Sequence, residues 1–504
     1  MSIIKKLAGQ TAVYGLSSIA GRFLNYLLVT LHTRVMSVEE YGVSAYFYAL
    51  IPFAAVFFSY GMETAFFRFY QKEDNKAKVF STAFTAVALV SIILGALIFF
   101  FAPALAHASK NEGRANFFRL VAIILAADAV TTIPFAWLRQ QNRPMRFALL
   151  RLLNIGVIIG LNLLFYLIVP FLTSRSLAAP MDATGVSSVW MFVANLIGSV
   201  CILPFFVSEL KFLKEGFDKV LWRKMFKYAF PVLFMGFAGM INETLDRVLL
   251  KYMIADPSVA DYQIGIYSGN YKLSIIITLF IQAFRYAAEP FFFAEAGKAD
   301  APKTYARVMQ YFILLCACIF AGVLLYLNIL KHLISARYYE GLHVVPVLLM
   351  ANICLGAYYN LSVWYKITDR TRLGALVSII GAAITIILNI ILIPLYGYTG
   401  SAWATLICYA SMAVMSYYLG QKYYPIPYNV KRIFAYLFAA LSVYMMSDFL
   451  KDNFHLTGIL ETFVNTVLFC SFIYLMYVLE AENLRPIIEK YSAKSKNNRG
   501  AAVE

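Results

Sequence analysis

Residues 373–421 read LGALVSIIGAAITIILNIILIPLYGYTGSAWATLICYASMAVMSYYLGQ, and no Asp, Glu, Lys or Arg interrupts these 49 positions. About 20 apolar residues in a helix suffice to cross the hydrocarbon core of a bilayer. The stretch is too long for one crossing and needs a break. Pro394-Leu-Tyr-Gly-Tyr-Thr-Gly400 supplies it, because Pro and Gly punctuate a helix pair. Two consecutive spans joined by a tight turn are therefore expected here.

The rest of the chain has the same character. Of 504 residues, 61% are hydrophobic and only 14% are charged, against about 25% charged in soluble domains. Polar surface is too scarce to cover a soluble core of this size, which excludes a water-soluble enzyme, a nucleic-acid reader and a disordered protein. The fold class expected is an all-α polytopic membrane protein. Fourteen spans are predicted, near 9–33, 42–62, 79–103, 117–138, 147–170, 187–208, 228–253, 264–288, 305–330, 343–364, 373–393, 400–420, 432–449 and 457–479. The first is too long, and too polar on one face, for the core of a cleaved leader, so it is expected to be retained.

The net charge of +16 is read as a cytoplasmic excess of Lys and Arg rather than as a nucleic-acid surface. A roughly threefold bias between alternate loops places both termini in the cytoplasm. All five histidines are predicted near the outer ends of spans. The six cysteines fall in apolar stretches without a metal-ligand spacing, so disulfides, metals and cofactors are not expected. No loop exceeds about 20 residues, which leaves no room for a catalytic domain.

The sequence also repeats. At an offset of 227, Trp137 meets Trp364, Arg139 meets Lys366, Arg143 meets Arg370 and Asn162 meets Asn389. An offset of 215 aligns Thr184-Gly185 with Thr399-Gly400, and an offset of 223 aligns Gly42 with Gly265 and Tyr48 with Tyr271. The chain is thus divided into an N-terminal six-helix bundle (1–210), a basic cytoplasmic linker (211–227), a C-terminal six-helix bundle (228–420), two extra spans (421–480) and a cytoplasmic tail (481–504). Six spans per repeat make the halves parallel, related by a pseudo-two-fold axis along the membrane normal, as in rocking transporters.

A span lining water should carry a polar stripe at helical spacing. Span 1 carries Thr11, Tyr14, Ser18, Arg22 and Asn25, and span 2 carries Tyr41, Ser44, Tyr48, Ser59 and Glu63. Span 7 carries Gly236, Gly239, Glu243 and Asp246. Span 8 carries Tyr267, Tyr271, Ser274, Thr278, Gln282, Arg285 and Glu289. These four spans are expected to face one another across a hydrated cavity. Charge within a span is costly and should meet a partner or a cavity, so Arg22, Arg247, Lys272 and Arg285 are the candidate cavity cations. Glu63, Asp128, Glu243, Asp246 and Glu289 are candidate carboxylates for a coupling H⁺ or Na⁺. Glu243 and Arg247 are also spaced to pair along one helix face. Arg151 is read as snorkelling to the interface. Pro134 and Pro231 are candidate kinks, and a bent span 7 would suit a gate.

Cations aimed at a cavity suit a phosphate-bearing group, and tyrosines offer faces on which sugar rings stack. The segments Val35-Met-Ser-Val-Glu-Glu-Tyr-Gly-Val-Ser-Ala-Tyr-Phe-Tyr-Ala-Leu50 and Phe58-Ser-Tyr-Gly-Met-Glu-Thr-Ala-Phe-Phe-Arg-Phe69 resemble the opening of the bacterial polysaccharide-biosynthesis flippases. In these proteins an acidic-Tyr-Gly turn (here Glu40-Tyr41-Gly42) leads into span 2, and span 2 ends in a Gly…Thr/Ala…Arg-Phe pattern (here Gly61 to Phe69). The stretches around Trp137 and Asn162, with their echo at Trp364 and Asn389, resemble the later helices of the same family.

The resemblance implies the multidrug/oligosaccharidyl-lipid/polysaccharide exporter fold: two six-helix bundles around a V-shaped cavity, often with two extra C-terminal spans. Its Wzx-type members carry undecaprenyl-diphosphate-linked repeat units of O-antigen (a part of lipopolysaccharide), capsule or exopolysaccharide. The expectation is a bacterial inner-membrane flippase for a lipid-linked oligosaccharide, working by alternating access, with no enzymatic activity. Its expected partners are that substrate, the lipid bilayer, a coupling H⁺ or Na⁺, and the polymerase and glycosyltransferase machinery. The alternatives are a cation-coupled multidrug or small-molecule exporter of the same fold, a polysaccharide polymerase or ligase, and a flippase for the peptidoglycan precursor.

Overall fold

A computed structural model describes residue 24 and residues 26–174 and 187–500, with side chains to residue 481 in the last helix. The described residues are all-helical. Their main helices are α1 (26–35), α2 (Val38–Ser59), α3 (Met62–Lys72), α4 (Lys76–Phe100), α5 (Ala115–Gln140), α6 (Pro144–Leu163), α7 (Val189–Cys201) and α8 (Lys219–Met253). They continue with α9 (Pro257–Leu273), α10 (Ile275–Glu295), α11 (Ala301–Leu325), α12 (Val345–Leu361), α13 (Thr371–Tyr423), α14 (Val430–Phe454) and α15 (Gly458–Gly500). The positions Thr11, Tyr14, Ser18, Arg22 and Asn25, and the Thr184-Gly185 echo, lie outside the described residues.

Eleven helices among these are long and apolar enough to cross a membrane, and α9 with α10 makes a twelfth as a bent pair. The 53-residue α13 would span about 80 Å if straight, more than twice the hydrocarbon thickness. It is two helices joined at Gly397, whose φ of 56° and ψ of −136° are non-helical. Gln263 fixes that turn by accepting the Tyr398 N–H at 3.1 Å. Taking the two arms of α13 as separate crossings brings the described spans to thirteen. The first predicted span lies mostly outside the described residues.

The described residues up to 296, with 331–424, form one compact unit, and residues 297–330 with the described residues from 425 onward a second. In the first unit α4, α5, α6 and α7 pack together, and α8, α12 and α13 pack together. Helices α2 and α9 cross at Gly42 and Gly265. A Cβ on Gly42 would overlap the carbonyl of Asp261, and a Cβ on Gly265 would overlap the carbonyl of Val38. The offset of 223 carries Gly42 onto Gly265 and Val38 onto Asp261, so the contact is reciprocal, as a two-fold relation requires. The glycines are needed because two backbones occupy the space of the missing side chains.

Ion pairs brace this crossing. Lys251 is fully buried and donates to Asp261 Oδ1 at 2.6 Å, and Arg114 Nη1 approaches Asp261 Oδ2 at 3.2 Å. Arg114 also faces Glu40 at 3.7 Å, and Glu40 accepts the N–H and hydroxyl of Ser188 at 2.7 and 2.8 Å. Toward the other helix ends a second symmetry-related pair appears. Glu63–Arg139 (3.0 Å) and Glu289–Lys366 (2.7 Å) join residues 76 and 77 apart in the chain.

Helix starts follow capping chemistry. Asp218 accepts the Val220 and Leu221 N–H groups at the start of α8, and Asp256 accepts the Ser258 N–H at the start of α9. The Leu221 and Val220 N–H groups and Lys78 hold the Asp218 carboxyl below its ordinary range. Its contribution is present above the unfolded pKa and lost as pH falls through the lowered one.

The break in the α9–α10 pair has a different origin. Pro231 lies inside α8 without ending it, so the bend expected at that proline is not where the chain breaks. The axes of α9 and of 275–285 diverge by 54° around Ser274. The Ser274 N–H and hydroxyl both donate to the Tyr271 carbonyl, at 3.1 and 2.7 Å, removing it from the regular ladder.

In the second unit α11, α14 and α15 are pinned by buried polar groups. Glu480 is fully buried and accepts from Gln310 (2.7 Å), Arg432 (3.3 Å) and the Tyr436 hydroxyl. Asn465 donates to the Leu325 carbonyl at 2.6 Å and accepts from Ser447.

Gly42→Ala and Gly265→Ala are each expected to lower the thermal midpoint in detergent, by about 1–3 kcal/mol of overpacking. Gly156→Ala and Gly160→Ala, where a Cβ meets nothing within 4 Å, are expected to be neutral or stabilising by about 0.5–1 kcal/mol. Equal effects at all four positions would refute the crossing.

Candidate functional site

A cavity of about 770 Å³ opens in the first unit beyond the α2–α9 crossing, within the usual size range of small-molecule sites. Of the expected residues, Ser44, Tyr48, Glu243, Arg247, Tyr271 and Lys272 line it. Thr278, Gln282, Arg285 and Glu289 line it too, from the far side of the Ser274 bend. Tyr48 and Tyr271 stand six residues beyond Gly42 and Gly265, so the reciprocal crossing presents one tyrosine from each repeat to the same space.

The charges divide into paired and unpaired. Arg247 Nη1 lies 3.1 Å from Asp246 Oδ1, its Nε donates to Ser268 at 3.4 Å, and its guanidinium lies 4.7 Å from the Tyr271 ring centre. The second Asp246 oxygen accepts the Tyr267 hydroxyl at 2.7 Å. Tyr267 and Asp246 are buried in that cluster and do not line the cavity, which corrects their expected placement. Arg247 reaches Glu243 only through its carbonyl, at 3.5 Å. The expected Glu243–Arg247 ion pair is therefore replaced by Asp246–Arg247, because the Tyr267 hydroxyl and the Arg247 N–H hold Asp246 in place. The Glu243 carboxylate and the Lys272 ammonium each have no hydrogen-bond or ion-pair partner among the described residues. Arg285 lies 4.8 Å from the Tyr359 ring centre, and Glu289 is held by Lys366.

Two candidate carboxylates stand elsewhere. Glu63 pairs with Arg139 and does not line the cavity. Asp128 on α5 lies within electrostatic reach of Arg151, whose guanidinium packs 4.1 Å from the Phe135 ring centre. Arg151, read as snorkelling, is thus placed among aromatic rings and acids.

Several lining residues carried no stripe signal. His32 is buried and its Nε2 bonds Asn162 Oδ1 at 2.8 Å, with its ring edge-on to Tyr166. Asn154, Ile158 and Asn162 form one face of α6, but two amides flanking an isoleucine are too sparse to register as polar. Asn195 donates to the Tyr48 hydroxyl at 3.5 Å. Asn352 on α12 is buried, with its Oδ1 unpartnered.

A sequence model of the family described as "Polysaccharide biosynthesis protein" matches residues 7–294. The chain belongs to this family. Over 509 aligned residues it is 24% identical to an uncharacterized membrane protein of Methanocaldococcus jannaschii, covering 93% of each chain. The solved structure of the lipid II flippase MurJ in an inward closed conformation superposes with a TM-score of 0.71 at 16% identity, over 92% of this chain and 98% of that one. An inward-facing multidrug resistance MATE family transporter superposes with a TM-score of 0.62 at 12% identity, over 82% and 95%. The chain therefore has the two-bundle polytopic fold that these structures share, and the resemblance read from its opening segments holds.

Asp246→Ala is expected to destabilise the protein by about 3–5 kcal/mol, because it strands a largely buried Arg247. Glu243→Gln is expected to stay within about 0.5 kcal/mol. Thermal unfolding in detergent reads both, and equal losses would refute the division into paired and unpaired carboxylates.

Proposed function

We propose that the protein is a flippase that moves a lipid-linked oligosaccharide, carried on a polyprenyl diphosphate, across the bacterial inner membrane for polysaccharide assembly. The observation that carries this reading is the Lys272 ammonium, which has no partner among the described residues, beside Arg247 in a polar, tyrosine-bearing cavity. A cation without a fixed acid keeps its attraction for a phosphate that enters. The lipid tail stays in the bilayer while the head group passes through the cavity. In this reading both termini face the cytoplasm, as the Lys and Arg bias between loops suggests. Lys272 and Arg285 lie on opposite sides of the Ser274 bend, so a change in that angle moves the two cations relative to each other. A bend at that place suits alternating access by two bundles.

A second reading is a cation-coupled exporter of small molecules. The Glu243 carboxylate, without a partner among the described residues, favours it, since an acid in a cavity binds H⁺, Na⁺ or a cationic drug. Depletion experiments separate the two. The flippase reading expects lipid-linked sugar to accumulate facing the cytoplasm and surface polysaccharide to fall. The exporter reading expects altered drug tolerance with normal surface polysaccharide. Lys272→Ala should reduce export at least about tenfold at wild-type protein level, and Lys272→Arg should restore much of it. Normal export by Lys272→Ala would refute the phosphate-holding role.

A further inference from the structure

The described cavity residues are electrically one-sided. All five charged ones, Glu243, Arg247, Lys272, Arg285 and Glu289, stand on α8, α9 and α10. The first-repeat helices α1, α2, α6 and α7 contribute hydroxyls, amides, apolar groups and the His32 imidazole, but no carboxylate, guanidinium or ammonium. The uncharged wall contains a partly free hydrogen-bonding set. Tyr48 is held with its ring stacked 4.8 Å from Phe192, at an interplanar angle of 21°. Its hydroxyl accepts from Asn195 Nδ2, which leaves the hydroxyl proton free. The side-chain amide of Asn154 has no hydrogen-bond partner among the described residues.

We propose that Tyr48, Asn154 and Asn195 form a subsite for an uncharged sugar, such as a hexose or N-acetylhexosamine. It faces a separate phosphate-holding wall on α8, α9 and α10, and it sets the specificity for the first sugar on the lipid. This inference rests on the flippase reading and refines it. A carboxamide offers both donor and acceptor to a hydroxyl pair or an acetamido group. Neutral amides are also far less costly to desolvate than charges, so a neutral ring can displace water from this wall. A phosphate on that wall would meet no cation among the described residues, whereas on the opposite wall it meets Lys272 and Arg247. The head group is thereby oriented, with diphosphate toward the second repeat and sugar toward the first.

The test compares the binding of two lipids to the full-length protein in nanodiscs: undecaprenyl diphosphate, and undecaprenyl diphosphate carrying one N-acetylglucosamine or one galactose. The wild type is expected to prefer a glycosylated lipid. Asn154→Ala and Asn195→Ala should each erase about three- to tenfold of that preference, with affinity for bare undecaprenyl diphosphate unchanged within about twofold. The retained affinity also reports that the variants are folded. Tyr48→Phe should act in the same direction. Lys272→Ala should weaken both lipids equally. The sugar wall is overturned if the asparagine variants weaken both lipids alike, if they weaken neither, or if the wild type prefers no glycosylated lipid. Loss of sugar preference in those variants, together with no effect of Lys272→Ala, would uphold the sugar wall and overturn the phosphate assignment.

Discussion

Backbone touches backbone where α2 crosses α9, and the rest of the first unit is arranged around that contact. Two helices approach this closely only where side chains are absent, and Gly42 and Gly265 supply the gap reciprocally. The surrounding charges, Lys251, Asp261, Arg114 and Glu40, lock the approach with ion pairs that are strong because they are shielded and mutually satisfied. From the crossing each helix runs on for about one and two-thirds turns, about 9 Å, before it presents Tyr48 or Tyr271. The cavity is the space these diverging helices leave.

Within that space the chemistry follows from which charges are neutralised. Arg247 is tied to Asp246 and Glu289 to Lys366. Lys272 and Glu243 are left available among the described residues. An unpartnered ammonium in a low-dielectric setting attracts an entering anion far more strongly than the same group would at an exposed surface. Among the described residues the second repeat supplies every charge that lines the cavity and the first repeat a neutral wall, so a single cavity offers two chemically distinct environments.

Much of the fold was legible because lipid leaves few alternatives. The charge-free run at 373–421 forced a break, and the chain breaks at Gly397 within the expected turn. Gly42 and Gly265 were legible as repeat partners. That they touch each other was not, since a repeat offset says nothing of contact. The stripes on spans 2 and 8 were informative because polar groups recur there at helical spacing. The same logic misplaced Tyr267, which helical spacing puts near the cavity but which the buried Asp246 holds away from it. It also passed over Asn154 and Asn195, amides too sparse on their helices to register as a polar stripe. The bend at Ser274 is not legible because no Pro or Gly marks it; the Ser274 hydroxyl and N–H share the Tyr271 carbonyl there.

The central claim is that the helices beyond the glycine crossing enclose a hydrated passage open to each side of the membrane in turn. Ala45 lies on the cavity wall one turn from Gly42, and a cysteine placed there in a background without the six native thiols reports on it directly. Membrane-impermeant thiol reagents applied from either side should both modify Ala45→Cys, with the ratio of the two rates shifting when lipid-linked oligosaccharide is supplied. Modification from neither side, or from one side only at a rate no substrate alters, would contradict the account.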